Sequence, residues 1–377
     1  MPEDPIGDKA GNTTRCFQLL QYFQKNNESL DTEFISFNVW KDDSIKKFHQ
    51  IFPSIKLTIV RRQGPKTKSY LKYFIIDKLP RIISRLFKGA TISRCTPYIN
   101  RHFKKAVRGK KYDISLISYA YWGELLKFID SSYSINDTHD FVTKQNLVIN
   151  KYQPKKIGKM FQNELTILRE FHEIWSYSVE EHFIFDQFLQ NKVRLMPISY
   201  PFHQLDAYRN IEYDVLYVAS DNPHNKESIK WFIENVLPKL ENVKITAIGK
   251  ICKLIPDHPA IQKLGVVEDL SEYYQKSKIT ICPMISGTGI KIKVLESLSY
   301  GLPVVTSRRG VDGLLNKSKN GCLVAEDAVS FADYIERLLN DPILYSRLSM
   351  EGSEFFQENY SKEHELSLLN DVFLVKA

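Results

Sequence analysis

Residues 287–296 read GTGIKIKVLE, with Lys291 and Lys293 opening an apolar run of helical period and Glu296 three positions later. A helix N-terminus carries about half a positive charge and several unbonded N–H groups, so a cation there is unfavourable by roughly a few tenths of a kcal/mol unless an anion joins it. Gly287 and Gly289 let backbone N–H groups come close to a phosphate, and the two lysines add mobile charge, a pattern that suits a diphosphate. Glu296 shares a helical stripe with Gly289 and Lys293, where a carboxylate can accept hydrogen bonds from a ribose. A solvated Lys293–Glu296 ion pair, contributing about 0.3–0.5 kcal/mol, accounts for the same spacing. On this segment alone both readings stand.

The motif needs a scaffold, and the flanking sequence supplies one: strand KITICP, loop MISGTG, helix IKIKVLESLSYG and strand LPVVTS. In open α/β sheets, ligands bind beyond the carboxyl ends of the strands, where loops feed helix N-termini. Apolar, β-branched runs recur along the chain with helical stretches between them. EFISFNV, KLTIV, DISLIS and EIWSYS fall in the first half, and YDVLYVAS, VKITAIG, KITICP and LPVVTS in the second. Two such series predict an α/β protein with two Rossmann-like parallel-sheet domains. The joint falls in MPISYPFHQL, residues 196–205, stiffened by Pro197 and Pro201.

The expected division is an N-terminal domain over 1–198, a C-terminal domain over 199–357 and a terminal amphipathic helix over 358–377. The chain opens on a polar loop, GDKAGNTTR (residues 7–15), that leads into the helix CFQLLQYFQKN. A domain of this kind should begin with a buried strand, so we expect that strand to be missing by truncation. Its absence would leave sheet edges unpaired.

Composition bounds the class. Of 377 residues 43% are hydrophobic and 25% charged, which suits a globular protein with two cores. Five scattered cysteines with no close pair suggest neither a zinc site nor a disulfide framework. No D-x-D stands near a strand end, so no metal is expected. The N-terminus lacks the basic and apolar regions of a signal peptide, and no apolar run approaches the roughly 20 residues that span a bilayer, so a cytoplasmic protein is expected.

The net charge of +8 is unevenly placed: Arg61 to Lys111 holds 16 Lys or Arg against one acid, Asp77. Within it, residues 70–88 set Ile75, Leu79, Ile82, Ile83 and Leu86 on one helical face and Arg81, Arg85 and Lys88 on another. A basic amphipathic helix predicts peripheral attachment to an anionic membrane surface, here its inner face, through residues 61–111. An ordinary domain helix explains the apolar stripe as well, but not the charge ratio.

GVVEDLSEYYQKSKITICPMISGTGIKIKVLESLSYGLPVVTSRRGVDGL, residues 265–313, resembles the donor-binding half of family 4 (group 1) glycosyltransferases, in the branch that reads G-x-G-x-K-x-K-x-L-E. NPHNKESIKWFIENVLPKL, residues 222–240, is similar to the same branch's P-N-x-x-x-x-x-W-F segment. In the first half, GDKAGNTTR looks like the family's acceptor-side loop, which implies acceptor-side roles for Gly11, Asn12 and Arg15. NDTHDF, residues 136–141, resembles the segment whose histidine lies near the donor sugar, which implies a catalytic His139. A satisfied histidine at a strand end is the competing reading for it. WSYSVEE, residues 175–181, matches in kind and reads as architectural.

The resemblance implies a GT-B fold, two domains facing a cleft with the C-terminal helix packing back on the N-terminal one. It also implies transfer with retention, from a UDP- or GDP-sugar to a saccharide or lipid-linked acceptor, in polysaccharide or glycoconjugate synthesis. No separate cofactor is implied. Gly287, Thr288, Gly289, Lys291, Lys293 and Glu296 would bind the nucleotide sugar, with Lys293 and Glu296 also catalytic. Thr288 departs from members with a glutamate there, and Ser220 and Asn225 stand near positions where an Arg and a Lys are usual. The phosphate charge then rests on Lys291, Lys293 and backbone amides. A non-catalytic sugar-nucleotide-binding subunit and a GT-B epimerase are rival readings. A nucleic-acid-binding protein is disfavoured because no recognition module is visible and the basic residues lie outside the glycine loop.

Overall fold

A computed structural model of the chain describes residues 4–6, 11–37, 40–63, 70–80, 82–83, 91–149, 154–190, 192–203, 209–287 and 289–375. They fall into two compact units. Met1–Tyr177, Glu181–Met196 and Leu368–Ala377 make the first, and Ser178–Glu180 with Pro197–Ser367 the second.

The first unit pairs β1 (Glu33–Ser36) with β2 (Lys56–Ile59) in parallel. It also holds a four-stranded parallel sheet in the order β3 (Lys111–Ser118), β4 (Asp130–Asp137), β5 (Glu173–Ser176), β6 (Val193–Leu195). All four residues of β5 are buried, as in a strand covered on both faces, with polar Glu173 and Ser176 flanking Ile174 and Trp175. Its helices include α1 (Gly11–Lys25), α2 (Asp42–Ile51), α3 (Pro97–Val107), α4 (Val142–Ile149), α5 (Pro154–Arg169) and α6 (Val179–Leu189). Thr96 caps α3 by accepting from the Ile99 N–H, and Pro97 opens it.

Helix α1 starts at Gly11, so Gly11, Asn12 and Arg15 lie in its first turns and not in the loop expected over residues 7–15. The amphipathic helix read over 70–88 begins as a short α turn, Tyr70–Tyr73, and widens into a π turn, Phe74–Lys78. Arg81, Arg85, Leu86 and Lys88 lie outside the described residues. All five cysteines are free and buried.

The second unit is one six-stranded parallel sheet: β7 (Tyr213–Val218), β8 (Ile245–Ile248), β9 (Ile261–Gly265), β10 (Ser277–Cys282), β11 (Val304–Ser307) and β12 (Cys322–Ala325). The spatial order is β12-β11-β10-β7-β8-β9. The chain builds outward from β7 through β8 to β9, then returns to β7's other side with β10. The strand order therefore reverses between β7 and β10, and a sheet of this kind opens a ligand crevice at that point, outside the carboxyl ends of the strands.

Helices α7 (Pro223–Trp231), α8 (Ser271–Gln275), α9 (Ile292–Ser299), α10 (Ala328–Asn340) and α11 (Pro342–Tyr360) accompany this sheet, and α12 (Lys362–Phe373) follows them. Val215, Tyr217, Ile245, Ile279 and Ile281 form its core with Phe232, Phe331 and Ile335. Helix α9 buries Val294, Leu295 and Leu298 against Val304, Phe355 and Phe356, which fixes which of its faces is left for ligand. The helix is shorter than the expected IKIKVLESLSYG. Lys291 sits at its N-cap position in an extended conformation, with its side chain turned back to the preceding loop.

The end of α12 counts with the first unit. There the Phe373 ring lies 4.9 Å from Phe23 and 6.0 Å from Trp175, and Asn370 accepts a 3.0 Å bond from the Tyr22 hydroxyl. The end of the terminal helix, from Leu368 on, thus packs within the first unit. Among the described residues no helix is long and apolar enough to cross a membrane.

Candidate functional site

Strand β10 ends at Cys282, and the chain turns through Gly287 and Gly289 into α9 at the point where the strand order reverses. Both glycines are left-handed, at φ +98° and +72°. At Gly287 a Cβ would also sit 3.3 Å from the His224 ring, so a side chain there meets both backbone strain and a neighbour.

Lys291 is buried and its Nζ donates to the Gly289 carbonyl at 2.7 Å. The Lys293 Nζ donates to Asn225 Oδ1 at 2.9 Å and lies 5.2 Å from the Tyr217 ring centroid. Neither ammonium is ion-paired with a carboxylate among the described residues. Burial pulls both lysines below their ordinary pKa. A buried and a half-buried cation at a helix N-terminus are costly in the free protein, and an anion between them would offset the cost.

The second helix at this crevice, α7, is tied to the same loop. Asn222 caps it by accepting the Asn225 N–H at 2.9 Å, and His224 Nδ1 lies 2.9 Å from Ser286 Oγ. Asn225 also donates to the Ser220 carbonyl at 3.0 Å, which holds its amide oxygen toward Lys293. Sequence reasoning took Asn225 for a lost cation. In the fold it orients a cation supplied by α9.

Glu296 lies one turn further along α9, half-buried, and accepts a 3.1 Å bond from the Tyr274 hydroxyl. Burial raises its pKa, opposed by Tyr274 and the Lys293 charge. The simple Lys293–Glu296 ion pair is not made, because each group has its own partner. The structure thus brings Gly287, Gly289, Lys291, Lys293 and Glu296 together and adds Asn225, Tyr217 and Tyr274 from other elements. Thr288 lies outside the described residues.

The first unit holds a second cluster, at the carboxyl ends of β3, β4 and β5. Tyr119 and His139 both have positive φ, +66° and +57°, conformations that a side chain adopts only when its surroundings enforce them. Their rings stack at 4.4 Å, with Tyr177 at 5.4 Å from His139. Tyr177 donates to Asp137 Oδ1 at 2.5 Å and accepts from Arg15 Nε at 3.1 Å. His139 Nε2 is 3.4 Å from Asp137 Oδ2, an electrostatic contact longer than a good hydrogen bond. Burial lowers the His139 pKa against the pull of Asp137, so the imidazole is neutral at pH 7. A neutral imidazole offers one donor and one acceptor. Arg15 joins this cluster; the Asn12 backbone is in the same helix, one turn ahead.

The family model of glycosyl transferases group 1 matches residues 212–341, a span that holds the crevice of the second unit. Sucrose-phosphate synthase from Thermosynechococcus elongatus is 16% identical with a TM-score of 0.64, covering 99% of this chain and 96% of that chain. Anabaena HepE, solved in complex with UDP and glucose, is 10% identical with a TM-score of 0.62, covering 97% and 96%. The fold is GT-B, two parallel-sheet α/β domains. An uncharacterized 44.6 kDa protein in the cps region of Klebsiella pneumoniae is 26% identical over 185 residues, 45% of this chain and 47% of that protein. The chain spans less than half the length of the curated relatives it matches.

Proposed function

We propose that the protein transfers a sugar, of hexosyl type, from a nucleoside diphosphate sugar to a saccharide or lipid-linked acceptor, with retention, in cell-surface polysaccharide or glycoconjugate synthesis. The observation that carries this reading is the pair of ammonium groups, buried Lys291 and half-buried Lys293, held at the reversal point of the sheet without carboxylate partners among the described residues. The UDP in the HepE structure and the cps-region relative support the donor class and the setting. Between UDP- and GDP-sugars we favour UDP, on the HepE likeness alone.

In this reading the lysines and the α9 N-terminus hold the diphosphate, and Glu296 accepts from the ribose. The acceptor hydroxyl oxygen bonds to the anomeric carbon on the face from which the diphosphate leaves. The carbon–oxygen bond to the diphosphate breaks, and the hydroxyl proton passes to the departing phosphate. Stabilising that anion is the main catalytic task, and fixed cations do it without reorganisation. Release of labelled sugar from UDP- or GDP-sugars onto an acceptor mixture tests the reading; nucleotide binding with no transfer or hydrolysis would favour a non-catalytic subunit.

His139 is the proposed catalytic group of the first unit. His139→Ala is expected to lower turnover about 100-fold, within the range for positioned proton-transfer groups, while UDP affinity stays within about twofold. An unchanged turnover number would leave His139 a structural residue.

We further propose that the region 61–111 attaches the protein to anionic membranes. Ile75, Ile82 and Ile83 are 55%, 44% and 45% exposed, which supports an apolar face left for lipid. Each basic residue near the surface adds up to about 1 kcal/mol, screened over about 8 Å at physiological salt. Binding to phosphatidylglycerol vesicles is expected to fall steeply from low to high salt, and to weaken when Arg81, Arg85 and Lys88 are replaced by Gln. No binding at low salt would end the membrane reading and favour a phosphorylated acceptor in solution.

A further inference from the structure

Helix α7 brings an imidazole to the glycine loop. His224, in the first turn of α7, is half-buried, and its Nδ1 lies 2.9 Å from Oγ of Ser286, the residue before Gly287. Ser286 in turn donates to Glu227 Oε2, one turn further along α7. A hydroxyl has a single proton to give, and Ser286 gives its own to the carboxylate. The imidazole must therefore donate at Nδ1, in its neutral and its charged form alike. Only Nε2 changes on protonation, from a bare acceptor to a donor.

That nitrogen stands at the loop. A Cβ at Gly287 would lie 3.3 Å from His224 Cγ and 3.5 Å from Cδ2, the carbon bonded to Nε2. The ring thus packs its Cγ–Cδ2 bond against bare backbone, where a phosphate can come close. Among the described residues Nε2 has no hydrogen-bond partner. The charged groups nearby in the fold are Asp221, just ahead of α7, Lys226 and Glu227 on it, and Lys291 and Lys293 across the loop, the last joined to α7 through Asn225. The lysines oppose a third positive charge in the free protein, and an anion among them favours it.

On the reading of this crevice as a donor site, we propose that His224, as an imidazolium, donates through Nε2 to a phosphate oxygen of the bound nucleoside diphosphate sugar, with Ser286 and Glu227 as its positioning residues. Donor binding then takes up a proton. The phosphate raises the histidine's pKa, so between the free and bound values the complex holds a proton that the free protein lacks. Affinity falls as pH rises through that window.

Titration calorimetry with UDP-glucose and GDP-glucose, in buffers of different ionisation enthalpy, counts this proton. Both phosphates of these probes are esterified, so the probes themselves do not titrate near neutral pH. The wild type is expected to take up part of a proton between about pH 6 and 8. His224→Asn keeps an N–H for Ser286 but deletes Nε2, and it should take up none. Its affinity for the nucleotide sugar should be at least about tenfold weaker at about pH 6 and within about twofold of the wild type at about pH 8.5, with uridine and guanosine affinities unchanged. Glu227 is exposed, so Glu227→Gln should spare the fold and move the fall in affinity to lower pH, because the imidazolium loses the charge behind Ser286. Equal proton uptake and equal affinity in the wild type and His224→Asn would overturn the His224 contact and leave the donor reading standing. Inorganic diphosphate bound with the same dependence on His224, and neither nucleotide sugar bound, would keep the contact and overturn the donor reading. No binding by any of the three would overturn both.

Discussion

The double variant Lys291→Met, Lys293→Met is expected to bind UDP about 100- to 10,000-fold more weakly than the wild type while its affinity for uridine changes little. Each ammonium would give the diphosphate a charge-assisted hydrogen bond of about 1.5–3 kcal/mol, and every 1.4 kcal/mol is about tenfold. Methionine keeps the volume and the apolar stem, so the cores around Val294 and Leu295 are spared. The same variant should hold or raise its thermal midpoint, because it removes one buried and one half-buried cation that have no carboxylate partner among the described residues. The pH dependence has a defined sign. Burial puts both lysines below their ordinary pKa in the folded state, so the unfolded chain holds more protons as pH rises from the depressed values toward the ordinary one. Over that alkaline window the wild type gains stability relative to the variant, and saturating UDP should abolish the difference. Calorimetry with UDP and uridine, and melting curves of both proteins from neutral to alkaline pH, check each part. Equal losses for UDP and uridine would mean that the lysines act only through folding.

Glu296→Ala should reduce transfer below detection in a standard assay and weaken UDP and uridine alike by about 10- to 150-fold, the equivalent of about 1.5–3 kcal/mol. The equal effect on both ligands is the mark of a ribose contact and separates Glu296 from the lysines. The fold should survive. Burial already disfavours the ionised carboxylate, and the loss leaves only the Tyr274 hydroxyl without its acceptor, about 1 kcal/mol. Tyr274→Phe should show a smaller form of the same defect, since it frees Glu296 to turn. Unchanged affinity for uridine in Glu296→Ala would remove the carboxylate from the site.

The eight apolar runs of the sequence appear as β1, β2, β3, β5, β7, β8, β10 and β11. The strands that escape sequence reading do so for physical reasons. β4 reads DSSYSIND, with no apolar run, yet it is central: two of its serines bond to neighbours, Ser131 with Ser115 at 2.8 Å and Ser134 with His172 at 2.8 Å. β6, β9 and β12 are edge strands of their sheets, with partly exposed patterns that resemble loops.

The site divides in the same way. Gly287 to Glu296 is legible because one turn and one helix carry it. Asn225, Tyr217 and Tyr274 are not, because they reach the motif from α7, β7 and α8, and only the order of strands brings them together. The His139 cluster is half legible. The histidine stands out in NDTHDF, but its positive φ and its stacking on Tyr119 belong to strand ends far apart in sequence.

The central claim is that the crevice between β7 and β10 takes the diphosphate of a nucleotide sugar. Isothermal titration of the wild-type protein with UDP, GDP, uridine and guanosine, in one buffer at one ionic strength, tests it most directly. The account predicts that at least one diphosphate binds 100-fold or more tightly than its own nucleoside, since both lysines and the α9 N-terminus act on the diphosphate alone. Diphosphate and nucleoside binding with equal affinity, or neither binding at all, would contradict it.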